Sequence, residues 1–324
     1  MFYLGIDISK DKFDVALISD EEPESPKKKV FSNDKDGLAK LLTWLSRRAD
    51  AEIHACMEAT GTYYEELAAF LVQSGFGTSV VNPSYPSNFA KSSALRNKTD
   101  SVDAGVIADY CRAKRPRFWT PPSPEAKELK ELVRRLSVLE QSKMEEENRL
   151  SSGVSSKAVT KSLNGSIRFI SKQIEELEQL IKDHVESHPG LKEQRDLLIS
   201  IPGIGEKTAA IILGELPSAE NFENAKQVSA YAGLSPREHR SGSSVRGKTR
   251  LCKMGSSRLR RALYFPAITA TRYNPLVKDL YQRLRKAGKT KMCAIGAAMR
   301  KLLHIAFGVL RTREPFNPLA ESRA

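Results

Sequence analysis

The order in which hydrophobic periodicity changes along the first third of this chain constrains its fold more than any other feature. Phe2–Asp7 is a short apolar run that meets a polar turn at Ser9–Asp11, and Phe13–Ile18 follows as a second run, so the pair reads as a β-hairpin. Lys29–Ser32 is a third strand candidate after the acidic, prolyl stretch Glu21–Pro26. A helical pattern then runs from about Lys35 to Arg48, with Leu38, Leu41, Leu42 and Leu45 on one face. Ile53–Glu58 reads as a strand, Tyr63–Ser74 as a helix and Thr78–Asn82 as a strand. The Pro/Ser segment Pro83–Ser87 and the basic Lys91–Lys98 lead to a last helix, Asp100–Arg112. The order is βββαβαβα.

Three meandering strands followed by alternating helices and parallel strands is the order of an RNase H-like domain. The proline-rich Pro116–Pro124 marks its end. Beyond it the pattern is purely helical. Glu125–Leu150 carries Leu129, Leu132, Leu136 and Leu139 on a stripe. After the break Ser151–Gly165, a second helix to about Val185 steps through Ile167, Ile170, Ile174, Leu177 and Ile181. Those spacings form a heptad seam, so the two helices predict an antiparallel coiled-coil hairpin. The seam is either satisfied within the hairpin or exposed for oligomerisation. From Gly190 the chain is helical with interruptions. The expected fold class is therefore α/β plus α: an RNase H-like domain over 1–118, a helical hairpin over 119–188 and an α-helical DNA-binding domain over 189–324.

A net charge of +13 in an otherwise ordinary soluble composition points to a polyanionic partner. The most apolar run, Ala294–Leu310, is interrupted by Arg300 and Lys301 and reads as a buried helix rather than a membrane span. The N-terminus lacks the pattern of a signal peptide. The expected location is the cytoplasm, in association with the nucleoid. The four cysteines are scattered without C-x₂-C spacing, which argues against zinc and against a disulfide framework. His184 and His188 have no third ligand in sequence and read as solvated surface.

Four carboxylates sit where metal chemistry would want them. Asp7 ends the first strand, Glu58 ends the strand after the first helix, and Asp100 and Asp103 lie three apart at a helix start. Converging carboxylates repel unless a cation neutralises them, and all-oxygen donors suit Mg²⁺ or Mn²⁺. Two such ions would clamp the attacking and leaving oxygens of a phosphodiester exchange. Each residue also has an ordinary reading: Asp7 as a turn residue, Glu58 as a cap for the next helix, and Asp100 as an N-cap.

Gly5-Ile6-Asp7-Ile8-Ser9-Lys10, Met57-Glu58-Ala59-Thr60-Gly61 and Asn97-Lys98-Thr99-Asp100-Ser101-Val102-Asp103-Ala104 together resemble the DEDD transposases of the insertion-sequence-110 family. The resemblance implies a RuvC-like metal site built from the four acids, with Lys98 in the basic lead-in to the third.

In the last domain, Ile201-Pro202-Gly203-Ile204-Gly205-Glu206-Lys207-Thr208 has the form of a helix-hairpin-helix turn. Gly203, Gly205 and Lys207 would hold a phosphate there, or the turn is simply a tight helix connection. From Arg237 to Arg261 nine cations (Arg237, Arg240, Arg246, Lys248, Arg250, Lys253, Arg258, Arg260, Arg261) face one acid, Glu238. They cross a loop of small hydroxylic residues, which suits phosphate contact better than a merely solvated face. Aromatic residues are few there, so base stacking is not the expected theme. Ser241 among these arginines is a nucleophile candidate or an ordinary loop residue.

Ala232-Gly233-Leu234-Ser235-Pro236-Arg237, Arg240-Ser241-Gly242, Lys253-Met254-Gly255 and Leu259-Arg260-Arg261-Ala262-Leu263 resemble the same family's C-terminal domain. The resemblance implies that Ser241 is its nucleophile, with Ser243 and Ser244 as rivals. It further implies recombination of an insertion sequence through a phosphoserine intermediate. Donor and target DNA, a structured guide RNA and a dimeric or tetrameric assembly come with it. Two other classes remain open on the residues alone. One is a metal-dependent nuclease of the Holliday-junction-resolvase kind, and the other is a catalytically inactive nucleic-acid-binding protein.

Overall fold

The computed structural model describes residues 1–47, 52–59, 61–92, 100–237, 240–241, 245–246 and 250–319, with 92, 100–102, 240–241 and 245–246 as backbone alone. The chain divides into two compact units, Met1–Pro121 and Pro122–Ala324.

In the first unit, β1 (Phe2–Ile8), β2 (Lys12–Ser19), β3 (Lys27–Ser32), β4 (Ile53–Glu58) and β5 (Gly77–Val81) form one sheet in the order β3-β2-β1-β4-β5. The first three strands are antiparallel, and β1, β4 and β5 are parallel. This is the mixed sheet that the periodicity predicts. Strand alternation divides the core in two. Leu4, Ile6 and Ile8 pack with α1 (Lys35–Ser46) and α2 (Tyr64–Gln73) through Leu38, Leu41, Leu67 and Leu71. Tyr3, Ala16, Ile18 and Cys56 face Ala104, Ile107, Ala108 and Cys111 of the helix that runs Asp100–Lys114. A nine-residue helix, α3 (Ser84–Ser92), fills the stretch that reads as an irregular Pro/Ser segment, and Asp100–Lys114 is therefore α4. Pro86 lies in the first turn of α3, where a missing N–H costs no helix bond. Residues 116–119 strap the outer strand: Ser79 Oγ donates toward the carbonyls of Pro116 and Arg117, and Trp119 N donates to Thr78 O.

The second unit opens with α5 (Pro124–Ser151), capped by Ser123 with proline at its first position, and α6 (Lys157–Ser187), capped by Ser156. The α6 helix starts ahead of Gly165, well before the heptad pattern becomes readable. An interior glycine costs a helix only about 1 kcal/mol, which a helix this long absorbs. Leu163, Leu177, Ile181 and Val185 are buried. Leu177, Ile181 and Val185, with the partly buried Ile170 and Ile174, join Leu129, Val133, Leu136 and Leu139 of α5 in one core. The seam is satisfied inside the chain.

That core continues through α7 (Pro189–Ile199), α8 (Glu206–Glu215), α9 (Ala225–Tyr231), α10 (Ser257–Ala262), α11 (Tyr264–Tyr273), α12 (Pro275–Lys286) and α13 (Lys291–Thr312). By length and composition α13 could cross a membrane, yet it buries eleven residues against its neighbours, as a core helix does. Polar ties bind hairpin to bundle. Arg134 on α5 grips Glu215 on α8 through two bonds of 2.8 and 3.2 Å, and the Glu215 side chain is only 4% exposed. His184, expected on a solvated surface, is instead buried against the start of α5, with Nε2 2.9 Å from Glu125 O and Nδ1 3.7 Å from Glu128.

Candidate active site

The catalytic candidates of the first unit are set by strand register. Ile6 pairs with Met57 across β1 and β4, so Asp7 and Glu58 stand side by side, one step further along the parallel strands. Asp7 is not the last strand residue, since β1 continues to Ile8. Period-two alternation puts Asp7 on the face of Tyr3 and Gly5, and Glu58 on the face of Cys56. That is the face covered by α4.

Gly5 fixes how α4 lies. A Cβ on Gly5 would stand 2.1 Å from Ala104 O and 2.3 Å from Ala108 N, so only glycine lets the helix backbone rest on the strand. Near the end of α4 Cys111 Sγ lies 3.7 Å from His54 O, and just past it Arg115 donates to Tyr3 Oη at 3.3 Å. The helix thus runs antiparallel to β1, and its first turn, with Asp100 and Asp103, lies toward the Asp7 end. Asp103 shares a row with the buried Ile107 and Cys111, which keeps it on the sheet side of the helix. Hydrogen bonding to Cys111 and burial push the Cys56 thiol far above its ordinary range, while the same hydrogen bond holds the Cys111 thiol below its own.

One residue of this face escapes a reading of the sequence. Asp14 on β2 stands directly opposite Asp7, is buried to 7% exposure, and binds Lys12 Nζ at 3.1 Å. The antiparallel register puts Asp7 and Asp14 on the same face. A charged residue in mid-strand ordinarily signals solvent, and this one is buried because α4 covers the face it shares with Ala16 and Ile18. Among the described residues, no three His, Cys, Asp or Glu side chains are grouped tightly enough to hold a metal ion. The side chain of Asp100 is outside that description. The donor set itself is all hard oxygen, without histidine or thiolate, and fits Mg²⁺ or Mn²⁺.

The candidate nucleophile lies in the second unit. Ser241 belongs to β7 (Arg240–Ser241), which pairs with β8 (Val245–Arg246). Beside them β6 (Pro236–Arg237) pairs with β9 (Arg250–Leu251). The register sets Arg237 opposite Arg250 and Arg240 opposite Arg246. Like charges directly across a ladder are unfavourable by themselves, and a bound anion reverses that sign. Arg237, Arg250 and Lys253 are exposed. Lys98, Lys248, Ser243 and Ser244 lie outside the described residues. Arg260 has a structural duty, donating to Ala232 O at 3.0 Å and Lys253 O at 3.4 Å. It ties together the two loops that carry the Ala232–Arg237 and Lys253–Gly255 motifs.

The expected helix-hairpin-helix turn is a tight helix connection at Gly203, where φ is +108° and a Cβ would meet Pro266 O and Ala270 Cβ at 2.9 Å. Gly205 caps α8 and opens onto free space. Lys207 is engaged by Glu178 at 3.0 Å and by Glu140, which joins α8 to both hairpin helices.

Two family profiles match this chain. Residues 4–156 match a DEDD transposase profile of the IS110 type, and residues 195–282 match one described as transposase IS116/IS110/IS902 family. A pilin gene-inverting protein of Moraxella bovis is 34% identical over 320 residues, covering 97% of both chains. The chain belongs to the IS110 family of transposases. A Moraxella lacunata protein of the same description is also 34% identical over 97% of each chain. The transposase for insertion sequence element IS1328 of Yersinia enterocolitica is 25% identical, covering 80% of this chain and 81% of the relative. As a member of this family the chain is a DNA transposase or recombinase. The first match spans the sheet unit with Asp7 and Glu58 and continues through α5, and the second spans Ser241.

Proposed function

We propose that this transposase cuts and rejoins DNA through a covalent phosphoserine at Ser241. Asp7, Glu58, Asp100 and Asp103 would hold Mg²⁺ or Mn²⁺ at the scissile phosphate. The observation that carries the reading is the Gly5 contact, which directs the α4 start toward Asp7 beside Glu58 on one face of the sheet. A divalent ion, when bound there, supplies charge neutralisation at the phosphate undergoing exchange. In the cleaving step a bond forms between Ser241 Oγ and phosphorus, one phosphoester oxygen leaves as an alcohol, and the serine proton goes with it. Attack by a hydroxyl from a new strand reverses the step, so the bond energy is retained and no nucleotide cofactor is needed. The arginines around Ser241 balance the charge that develops on the phosphorane oxygens.

The names of the two Moraxella relatives support this conservative course, since inverting a DNA segment requires each cut end to be joined to a new partner. Exchange of paired strands needs at least two active sites, hence a dimer or tetramer. The surplus positive charge of the second unit suits a structured guide RNA besides donor and target DNA. On this reading the 119–188 hairpin works as an arm of the assembly and the protein acts at the nucleoid. The test is a denaturing gel after incubation with Mg²⁺, element-end DNA, flanking transcript and target DNA. A protein–DNA adduct that forms with wild type and vanishes in Ser241→Ala is expected. Cleavage without an adduct, retained in Ser241→Ala and lost in Asp7→Asn, would leave a metal-dependent nuclease instead.

A further inference from the structure

The second unit exposes an aromatic residue in an unusual setting. Phe265 is 74% exposed, although α10 and α11 bury Leu259, Leu263, Ala267 and Ala270 on their other side. The two helices are nearly continuous: Leu263 N donates to Leu259 O at 3.2 Å and Ala267 N to Leu263 O at 3.0 Å. Arg258, Arg261, Phe265, Thr269 and Arg272 are all exposed and step by 3, 4, 4 and 3, so they form one row along the outer face. Tyr264 meets the Phe265 ring at 78° with centroids 5.3 Å apart, and its hydroxyl reaches Met292 Sδ at 3.9 Å. Phe265 is therefore braced on one side and open on the other.

Charge says what the open side meets. Between residues 240 and 313 the sequence holds nineteen Lys and Arg against one acid, Asp279. A lone exposed phenylalanine means little. One set between arginines, in a stretch almost without acids, has the composition of a nucleic-acid platform: cations follow the backbone while an aromatic face takes a base.

We propose that the Arg258–Arg261–Phe265–Arg272 row binds an unpaired DNA base by stacking on Phe265, with the arginines on the adjoining phosphates. The proposal rests on the strand-exchange reading above, because partners can be exchanged only after base pairs at the crossover separate. Inside a duplex both faces of a base are already covered, so the row selects opened DNA over intact duplex. It lies apart in sequence from the Ser241 motif and makes no chemical step.

The test uses the full chain and two DNAs of one sequence, a closed duplex and one opened by a short bubble carrying 2-aminopurine. Wild type is expected to prefer the bubble and to change 2-aminopurine fluorescence on binding. Phe265→Ala should lose about tenfold of that preference and the fluorescence change, with duplex affinity kept. Phe265→Trp should restore both. Arg261→Gln should weaken both DNAs alike and reduce the salt slope by about one. A bubble-to-duplex ratio unaltered in Phe265→Ala overturns stacking. A Phe265-dependent preference found only for single-stranded RNA of the same sequence overturns the assignment to DNA. A wild type that binds neither DNA fails at the strand-exchange reading itself, before Phe265 is in question.

Discussion

The two sets of proposed catalytic residues, one in each unit, are held by different means. The first unit places Asp7 and Glu58 on paired strands and Asp100 and Asp103 on α4, which Gly5 lets rest on β1. The second unit places Ser241 on a strand of two residues paired with another of two residues. The charge differs as sharply. The first unit has 16 basic and 17 acidic residues, the second 36 and 22, so the entire positive excess belongs to the second. The acidic positions are geometry set by strand register and by the Gly5 contact. The basic half is charge: register sets Arg237 opposite the likewise exposed Arg250, a like-charge pair that a bound phosphate would relieve. On the proposed reading, folding alone would position the carboxylates, whereas DNA would complete the surroundings of Ser241.

The largest expected effects break the acidic half. Asp7→Asn should lower strand exchange at least about a hundredfold, because several kcal/mol of charge stabilisation at the phosphate is removed. Its melting temperature should stay level or rise, since one of the like charges opposite Asp14 is gone. Gly5→Val should lose activity together with stability, by more than about 3 kcal/mol in a urea melt, because the clash is with backbone that cannot step aside. Gly105→Ala, one residue past the contact and facing open space, should keep both. If Gly5→Val melts and works like wild type, the register argument for the site is wrong. Asp14→Asn is a finer probe: the magnesium concentration for half-maximal activity should rise about tenfold, as for residues that position ligands without being ligands.

The contrast also explains what a reader of the sequence can see. The sheet was legible because alternation and turn residues are local signals, and Glu58 stands at its strand end as expected, whereas Asp7 stands one residue inside it. Asp14 was not legible, because its burial depends on α4 arriving from a hundred residues away. Gly203 shows the same limit: its φ of +108° is a local fact, but its close packing on Pro266 and Ala270 is decided by where α11 lies. Lys207 has the residue type of a phosphate ligand, yet Glu140 and Glu178 from the hairpin claim it. His184 is hidden under the first turn of α5, a contact that sequence spacing does not announce. In the second unit, motif resemblance carried the reading where periodicity had no purchase.

The smallest effect sharpens the comparison within the second unit. If the hairpin were an independent arm, cutting its ties to the bundle would leave bundle stability unchanged. Arg134 and Glu215 argue otherwise, since a carboxylate with 4% exposure has exchanged water for one guanidinium. Removing the arginine in Arg134→Met leaves that carboxylate buried without its counter-ion. The full penalty for such a charge is about 3–5 kcal/mol, and the partial exposure of Arg134 brings the expectation down to about 2 kcal/mol. The double variant Arg134→Met with Glu215→Gln should recover most of the loss, because neither charge is then stranded. Both melts should remain single transitions, with hairpin and bundle unfolding together around their common core. Two separate transitions in the single variant would show that the hairpin folds by itself.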